Sequence, residues 1–321
     1  MTRLERSPLA IAFRYFAAVA ENGSIRGAAA ALSVAPSAIN RQVLIIERGL
    51  GTELFERVGR SLRLSEAGHI LLAHVRGAER TYEDARSAIN ELRGLKRGKV
   101  HLATVESVSV HMMPELLAAF LKLYPGIEVA VTVTGAEIVT GLVRSGEADM
   151  GVTFNPHGLD GLEVAFQRSF PIGALMAPDH PLARRRRLAL ADCAEYPLIM
   201  PARGLSLRNL VDTALRTAAR PVRPAVEANS LRLMAALARR GGCISFQTVI
   251  GIEPELASGS LVLVPLTDET LPLNHLTFLR QAGRKGSPAA KALAEHLVGG
   301  LAAWRPRLAG RSRSSATVAA K

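Results

Sequence analysis

Polar side chains that could hydrogen-bond to the edges of DNA bases occur within residues 36–48. At 100° per residue, Asn40 and Arg41 lie on one side of a helix, opposite an apolar side that contains Ile39 and Val43. Amide and guanidinium groups match the donors and acceptors that bases present in the major groove. The candidates for contact with bases are Ser37, Asn40, Arg41 and Gln42, and Ser33 in the preceding turn is a further candidate for contact with DNA.

Two short helices that meet at a tight turn would present this polar side. Ser24 is a suitable N-cap for the first helix, and the turn falls at residues 33–35. Pro36 suits the first position of the second helix, where no N–H is needed. The pattern predicts a helix-turn-helix whose second helix enters the major groove, although an ordinary corner of a helical bundle has the same local pattern.

Residues 54–64 predict a two-stranded wing behind the helix-turn-helix, because apolar and polar side chains alternate on both sides of Gly59. Arg57, Arg60 and Arg63 would bind backbone phosphates and position the duplex. A solvated basic hairpin is the alternative interpretation of the same spacing.

The composition favours a polyanionic partner such as double-stranded DNA. The 321 residues carry a formal net charge of +12, although residues 184–187 and the C-terminal tail hold part of the excess and resemble a solvated surface. Cys193 and Cys243 form no ligand-spaced group with histidine, and no apolar run reaches the roughly 20 residues that span a bilayer. We therefore expect a cytoplasmic protein without disulfide, zinc site or membrane partner.

Residues 65–92 predict a long helix that pairs with a second copy of the chain. An apolar seam recurs at alternating spacings of four and three residues, as in a coiled coil, and charged residues flank it. A dimer of this kind suits two half-sites on DNA. The alternative is a helix that packs on its own domain. The seam residues are Leu71, Val75, Ala78, Tyr82, Ala85, Ile89 and Leu92.

After a short basic hinge at residues 94–98, strands and helices alternate, which predicts doubly wound α/β sheets. One set of elements covers residues 100–154, and a second set begins with a strand near residues 162–166. The last strand and helix have no core of their own, so we expect them to return to the first set. Two lobes joined by crossings near residues 154–162 and near Pro265 would form a hinged clamshell.

The crevice between such lobes is the expected site for a small effector. The C-termini of strands and the N-termini of helices face it, and the positive end of a helix favours an anion. We therefore predict an anionic effector, although a hydroxyl at such a position is also a common helix cap. The candidate effector-binding residues are Thr104, Ser107, Thr134, Asn155, Arg203, Ser206 and Gln247.

No group of residues in the sequence predicts catalysis. A nucleophile with a base, a carboxylate pair, a metal cluster and a glycine-rich phosphate loop are not recognisable, and His180 fits a turn. We predict a binding protein that is not an enzyme and has no metal or cofactor.

A long series of motifs resembles LysR-type transcriptional regulators. It includes Ala28-Ala29 to Leu32, Leu54-Phe55 and Ala67-Gly68 in the N-terminal part, and Tyr124-Pro125-Gly126-Ile127 and Pro178-Asp179-His180-Pro181-Leu182-Ala183 further on. The resemblance implies an effector domain like a type 2 periplasmic binding protein, a homodimer that joins into a homotetramer, and RNA polymerase as a further partner. Pro36, Asn40, Cys243 and Thr248 depart from the family's usual residues, so base readout and pocket shape cannot be copied from relatives.

The predicted fold class is an α/β effector domain of two doubly wound lobes, preceded by an all-α winged helix-turn-helix domain and a long linker helix. The predicted domains are residues 1–66 (DNA binding), 67–97 (linker helix and hinge), 98–305 (effector domain, with lobe I at 98–160 and 266–305 and lobe II at 161–265) and 306–321 (disordered basic tail). The favoured function is ligand-responsive transcription regulation. The alternative is a solute-binding or enzymatic clamshell with an incidental N-terminal helical domain.

Overall fold

The computed structural model describes residues 11–59, 61–92, 97–217, 224–284 and 286–306. Arg60 of the predicted wing, residues 93–96 of the predicted hinge and residues 307–321 of the predicted tail lie outside the described residues.

Three helices and a hairpin form the N-terminal unit. Phe16, Ile39 and Leu54 are fully buried in its core, and burying a side chain of this size contributes about 1.5 to 3 kcal/mol. The apolar side of the second helix of the helix-turn-helix faces this core, so its polar side faces outward. The elements are α1 (Ile11–Asn22), α2 (Ile25–Leu32), α3 (Pro36–Leu50), β1 (Phe55–Val58) and β2 (Ser61–Leu64).

The turn between α2 and α3 forms where the sequence predicts it. The Oγ of Ser24 accepts the N–H of Gly27 at 3.0 Å, which caps α2. Ser33 ends α2 in the left-handed conformation with φ of +54°, a geometry that non-glycine residues seldom adopt outside helix ends and turns. The predicted N-cap and turn are therefore confirmed.

The wing is fixed to α3 and to the next helix, α4 (Glu66–Leu92), by hydrogen bonds between side chains and backbone. The N–H of Leu54 donates to Glu47 Oε1 at 2.8 Å, and Ser65 Oγ donates to the carbonyl of Glu53 at 2.8 Å. A Cβ on Gly68 would lie 2.1 Å from the carbonyl oxygen of Leu54. Only glycine fits at this position, because any side chain would separate the wing from α4.

The predicted seam of α4 divides into two parts. In the first part, Val75 is buried and Leu71 is partly buried against the N-terminal unit. This part therefore follows the alternative prediction, in which the helix packs on its own chain. Further along, Ala85 is exposed and Ile89 is 51% exposed. The side chain of Leu92 lies outside the described part. The second half of the seam is therefore the half that is open to a partner.

Two lobes follow α4, each built on a five-stranded sheet. The first sheet has the order β4-β3-β5-β12-β6 and the second has the order β11-β7-β10-β8-β9. The elements are β3 (Gly98–Thr104), α5 (Glu106–Val110), α6 (Met112–Leu123), β4 (Ile127–Val133), α7 (Ala136–Arg144), β5 (Met150–Phe154), β6 (Leu162–Phe170), β7 (Gly173–Met176), α8 (Leu190–Cys193), β8 (Leu198–Pro201), α9 (Ser206–Thr217), β9 (Val226–Ala228), α10 (Leu231–Ala238), β10 (Ile244–Gln247), α11 (Glu253–Ala257), β11 (Val262–Pro265), β12 (Asn274–Gln281) and α12 (Pro288–Ala303).

The end of the chain returns to the first lobe, as predicted. Strand β12 pairs antiparallel with β5, and Leu293 and Leu297 of α12 are buried in the core of that lobe. In each lobe, parallel pairs such as β3 with β5 and β8 with β10 form the centre of the sheet. The C-termini of these strands meet at one edge, where the two lobes face each other.

The structure corrects two predictions about the lobes. The sequence predicts that a strand near residues 162–166 opens the second lobe, but these residues lie in β6, which pairs with β12 and is an edge of the first sheet. The first crossing therefore follows Phe170, and the boundary predicted at 160/161 is wrong. The apolar pattern also predicts one helix at residues 109–124. Instead, α5 and α6 are separate and meet at His111.

Among the described residues, no single helix is long and apolar enough to cross a membrane. Helices α2 and α3 meet the length and composition criteria only together, and they are bent by 116°. Burial raises the pKa of the Cys193 thiol to about 12, so this thiol stays protonated at neutral pH. His180 is buried in the predicted turn, where its Nδ1 accepts the N–H of Leu182 at 3.2 Å.

Candidate DNA-binding surface and effector cleft

The polar side of α3 is open to solvent. Ser37, Asn40 and Arg41 are exposed, and no side-chain hydrogen bond or ion pair joins any of them to another described residue. Ser33 is exposed in the turn, and Gln42 is partly buried beside the core. The N-cap position is Ala35, which supplies no side-chain acceptor; Pro36 has no N–H and the N–H of Ala38 donates to the carbonyl of Ala35 at 3.0 Å, so the N–H of Ser37 is the one left for a phosphate in this first turn.

The wing presents its arginines on two faces. Arg63 lies opposite Glu56 in the hairpin and Arg57 lies opposite Leu62, so the alternation of side chains places the two arginines on opposite faces. Both are exposed. A hairpin with a guanidinium on each face has the geometry to contact phosphates of both strands.

Three chain segments form a recess between the lobes, which we call the mouth of the cleft. These are the N-terminus of α7, the segment after β5 and the N-terminus of α9. Of the predicted effector residues, Asn155 and Ser206 line this mouth. Asn209 and His157, which were not predicted, line it as well. The complete lining is Ala136, Glu137, Asn155, Pro156, His157, Gly204, Ser206 and Asn209.

The mouth combines two helix N-termini with the carboxylate of Glu137, which lies in the first turn of α7. The N-termini of α7 and α9 lie at the mouth, and the N-cap residue of α7 is Gly135, which provides no side-chain cap. Arg203 is exposed just before α9. Its backbone N–H donates to Glu227, whose pKa is lowered first by a hydrogen bond from Arg208 and also by Arg203.

Asn155 is bonded within the first lobe although it lines the mouth. It adopts a positive φ of +43°, its Oδ1 accepts the N–H of His275 at 2.8 Å, and its Nδ2 donates to Asn274 Oδ1 at 2.6 Å. Thr134 is partly buried, and its N–H donates to the carbonyl of Thr104 at 2.9 Å. Both residues thus shape the cleft through bonds to its walls.

The inner end of the cleft, formed by Thr104, Ser107 and Gln247, is buried. Thr104 is fully buried and its Oγ1 donates to the carbonyl of Val152 at 3.0 Å. Gln247 is 2% exposed and its Nε2 donates to the carbonyl of Leu231 at 2.8 Å. The structure therefore separates the predicted effector residues into two groups, one at the mouth and one at the inner end.

Glu106 connects the lobes at the inner end, and it was not among the predicted site residues. Its Oε1 accepts the hydroxyl of Ser230 at 2.8 Å, and its Oε2 accepts the N–H of Leu231 at 2.8 Å. The only sequence signal is a glutamate after a strand. A glutamate at this position is expected to stabilise the first turn of α5 through the helix dipole, and it does not indicate a contact with the other lobe.

The linker helix contacts the first lobe through one buried arginine and two partly buried ion pairs. Arg80 is 2% exposed and its Nη2 donates to the carbonyl of Ser145, which ends α7, at 3.0 Å. Arg76 pairs with Glu147, and Asp84 pairs with Arg284. We call this set of contacts the linker joint. The heptad pattern predicts these charged residues only as the flanks of a seam.

Both parts of the chain match models of one family. Residues 11–69 match the bacterial regulatory helix-turn-helix protein, lysR family, and residues 93–302 match the LysR substrate binding domain. The chain belongs to the LysR family of transcriptional regulators. The match covers the helix-turn-helix, the wing, both lobes and the cleft.

Curated relatives of this LysR-family chain align over nearly its whole length. The RuBisCO operon transcriptional regulator of Allochromatium vinosum is 28% identical over 299 residues, which cover 92% of this chain and 97% of that protein. The HTH-type transcriptional regulator CbbR of Rhodospirillum rubrum is 28% identical over 282 residues, covering 88% and 93%.

Solved LysR-type structures share the fold. A full-length OxyR variant from Pseudomonas aeruginosa has a TM-score of 0.69 at 19% identity and covers 98% of this chain and 99% of its own. Full-length CbnR complexed with its target DNA has a TM-score of 0.63 at 21% identity and covers 90% and 98%.

The family decides between the two functions that the sequence left open. This LysR-family chain is a DNA-binding transcriptional regulator with a domain for a small-molecule effector, and it is not an enzyme. The alternative of a clamshell with an incidental helical domain is wrong, because the helical domain itself matches the DNA-binding model of the family.

Proposed function

We propose that the chain reads its operator through Ser37, Asn40, Arg41 and Gln42, while the arginines of the wing position the duplex. The observation that supports this division is the state of the polar side of α3. Its side chains are exposed and unbonded within the described chain, so they can bind bases without breaking internal contacts. Arg57 and Arg63 lie on a hairpin, where a guanidinium reaches phosphates more easily than base edges.

Selection of bound duplexes from a random pool, followed by affinity measurements, tests this division. Arg41→Ala should cost about 1 to 3 kcal/mol on the selected site and much less on random DNA. A double variant, Arg57→Ala with Arg63→Ala, should weaken both duplexes equally and lower the salt dependence. A wing variant that loses binding only to the selected site would contradict the assignment.

We also propose that the effector is a small anion bound at the mouth. Two helix N-termini, the hydroxyl of Ser206 and the nearby guanidinium of Arg203 support this choice of charge. Thermal-shift screening of anionic, neutral and cationic metabolites should identify an anion whose effect is reduced by Ser206→Ala and by Arg203→Ala. Thr104→Val at the inner end is the matched control. A hit that is cationic, or that depends only on Thr104, would reject the mouth as the site.

A conformational change caused by effector binding would be transmitted to the DNA-binding unit through α7. The N-terminus of this helix lines the mouth, and its C-terminal carbonyl at Ser145 accepts from Arg80 of α4. A helix of 9 residues moves as one piece, so a shift at the mouth also moves the linker joint. Arg80→Met should leave the affinity for the effector unchanged while abolishing its influence on DNA affinity. If the influence remained, the signal would take another path.

The exposed second half of the α4 seam is the proposed dimer contact. Ile89→Asp should dissociate the dimer, because it places a charge in an apolar contact. Ile70→Asp is a matched control, since Ile70 is 59% exposed on the same helix but lies outside the seam. Equal sedimentation of both variants would exclude this contact. Association into a tetramer, contact with RNA polymerase and a cytoplasmic location remain predictions from the family and its DNA partner.

A further inference from the structure

Glu106 lies in the first lobe and is bonded to the second. It is the first residue of α5, and both of its carboxylate oxygens accept hydrogen bonds from the start of α10. The donors are the hydroxyl of Ser230 and the N–H of Leu231, each at 2.8 Å. These residues are separated from Glu106 by more than 120 positions in the sequence. The contact is thus a direct bond between lobes.

The position that Glu106 occupies is an anion site. The start of α10 carries the partial positive charge of a helix N-terminus, and the first turn of α10 contains no acidic residue. Ser230 is the N-cap, and its Oγ accepts the N–H of Leu233 at 3.2 Å while its hydroxyl donates to Glu106. The carboxylate from the other lobe therefore supplies the negative charge that this helix lacks in its own sequence.

The surrounding residues hold this contact in place. Gln247 binds the carbonyl of Leu231 from β10, which fixes the start of α10. On the other side, Ser107 is buried against Gly251, where a Cβ would lie 2.8 Å from the carbonyl oxygen of Ser107. Gly251 has a φ of +89°, which also favours glycine. The residues on both sides of the contact are therefore held by bonds and close packing of their own.

We infer that Glu106 is an internal anion that holds the two lobes together at the inner end of the cleft. It takes the place that an anionic ligand would have at the start of α10, and it leaves the mouth as the open end. Opening of the lobes at the inner end requires release of Ser230 and Leu231 from the carboxylate. This inference depends on the observed bonds alone and is independent of the identity of the effector.

Removal of the side chain should create a site for a free carboxylate, which provides the test. Glu106→Ala in the full-length chain should lower the melting temperature by about 2 to 4 °C, as expected for the loss of a helix-capping contact in a domain of this size. Sodium formate should restore part of the loss in a saturable manner, whereas sodium chloride at equal ionic strength should not. Amide exchange at Leu231 should accelerate in the variant and slow again with formate.

Two further variants complete the experiment. Glu106→Gln keeps one acceptor oxygen but presents an amide NH₂ to a second donor, so its melting temperature should fall between those of the wild type and Glu106→Ala. Glu269→Ala removes one exposed negative charge elsewhere and should show no specific response to formate. Unchanged exchange at Leu231 in both Glu106 variants, or an equal formate effect in all proteins, would overturn the inference.

Discussion

The polar side of α3 and the inner end of the effector cleft contain similar side chains in opposite states. Asn40 and Arg41 are exposed and unbonded within the described chain, whereas Thr104 and Gln247 are buried and bonded to backbone carbonyls. The surface proposed to bind DNA has its hydrogen-bonding groups free. A surface that holds two lobes in register uses the same groups internally, because a buried polar atom without a partner is costly.

The contrast between bonded and free side chains extends to the linker joint, where we expect the largest effect on the free energy of unfolding. Arg80→Met removes a buried guanidinium that bonds the end of α7, and we expect a loss of about 1.5 to 3 kcal/mol, as for other hydrogen bonds to charged groups. Arg41→Ala, on the exposed side of α3, should change stability by about 0.5 kcal/mol or less. Denaturant unfolding of both variants measures the difference. Equal losses would show that exposure does not separate the two arginines.

A smaller difference should separate the hydroxyls of the two regions. Thr104→Val keeps the shape of the side chain but removes the bond to Val152, at a cost of about 1 kcal/mol. Ser37→Ala should have almost no effect on stability and should act on DNA binding alone. Denaturant unfolding of the two variants checks this order. The comparison would fail if Ser37→Ala were the more destabilising of the two.

The smallest effect should be pH-dependent and should arise beside the inner end. Burial raises the pKa of Glu253, although its Oε2 accepts the N–H of Gly251 at 2.8 Å. An acid with a raised pKa in the folded state destabilises the fold when it is ionised. Stability therefore falls as the pH rises above the ordinary value of 4.5 until the folded-state pKa is passed. Glu253→Gln should raise the melting temperature at neutral pH.

The gain in melting temperature from Glu253→Gln should shrink as the pH is lowered toward 4.5, because the wild-type carboxyl group is then neutral, as the glutamine amide is at every pH. Melting curves across this range, with Glu269→Ala as an exposed control, measure the trend. A gain that is the same at every pH would mean that the ionised carboxylate is not the cause.

Local patterns were sufficient to predict the helix-turn-helix. Ser24 and Pro36 are residue types that favour the N-cap and the first position of a helix, and the apolar period of α3 shows which side is buried. The two lobes were also predictable, because strands and helices alternate. The assignment of residues 162–166 to the second lobe was wrong, because the sheet that this strand joins is decided by pairing with β12, more than 100 residues away.

The sites were less predictable for the same reason. Hydroxyl and amide groups at strand ends could be located in the sequence, but their internal partners could not. Thr104 is bonded to Val152, and Glu106 is bonded to Leu231 in the other lobe. The charged residues of α4 were similarly assigned to a seam, although Arg80 contacts Ser145. In each case a partner far away in the sequence determines what the side chain does.

Gly68 determines how movement of α4 reaches the DNA. Because its missing side chain lets the helix touch the carbonyl of Leu54, the wing cannot tilt independently of α4. Ser65 adds a second attachment at Glu53. The orientation of the linker helix therefore sets the orientation of the wing and, through the bond between Glu47 and Leu54, that of α3. In the proposed dimer, the crossing angle between the two linker helices would therefore be passed on to the two DNA-binding units.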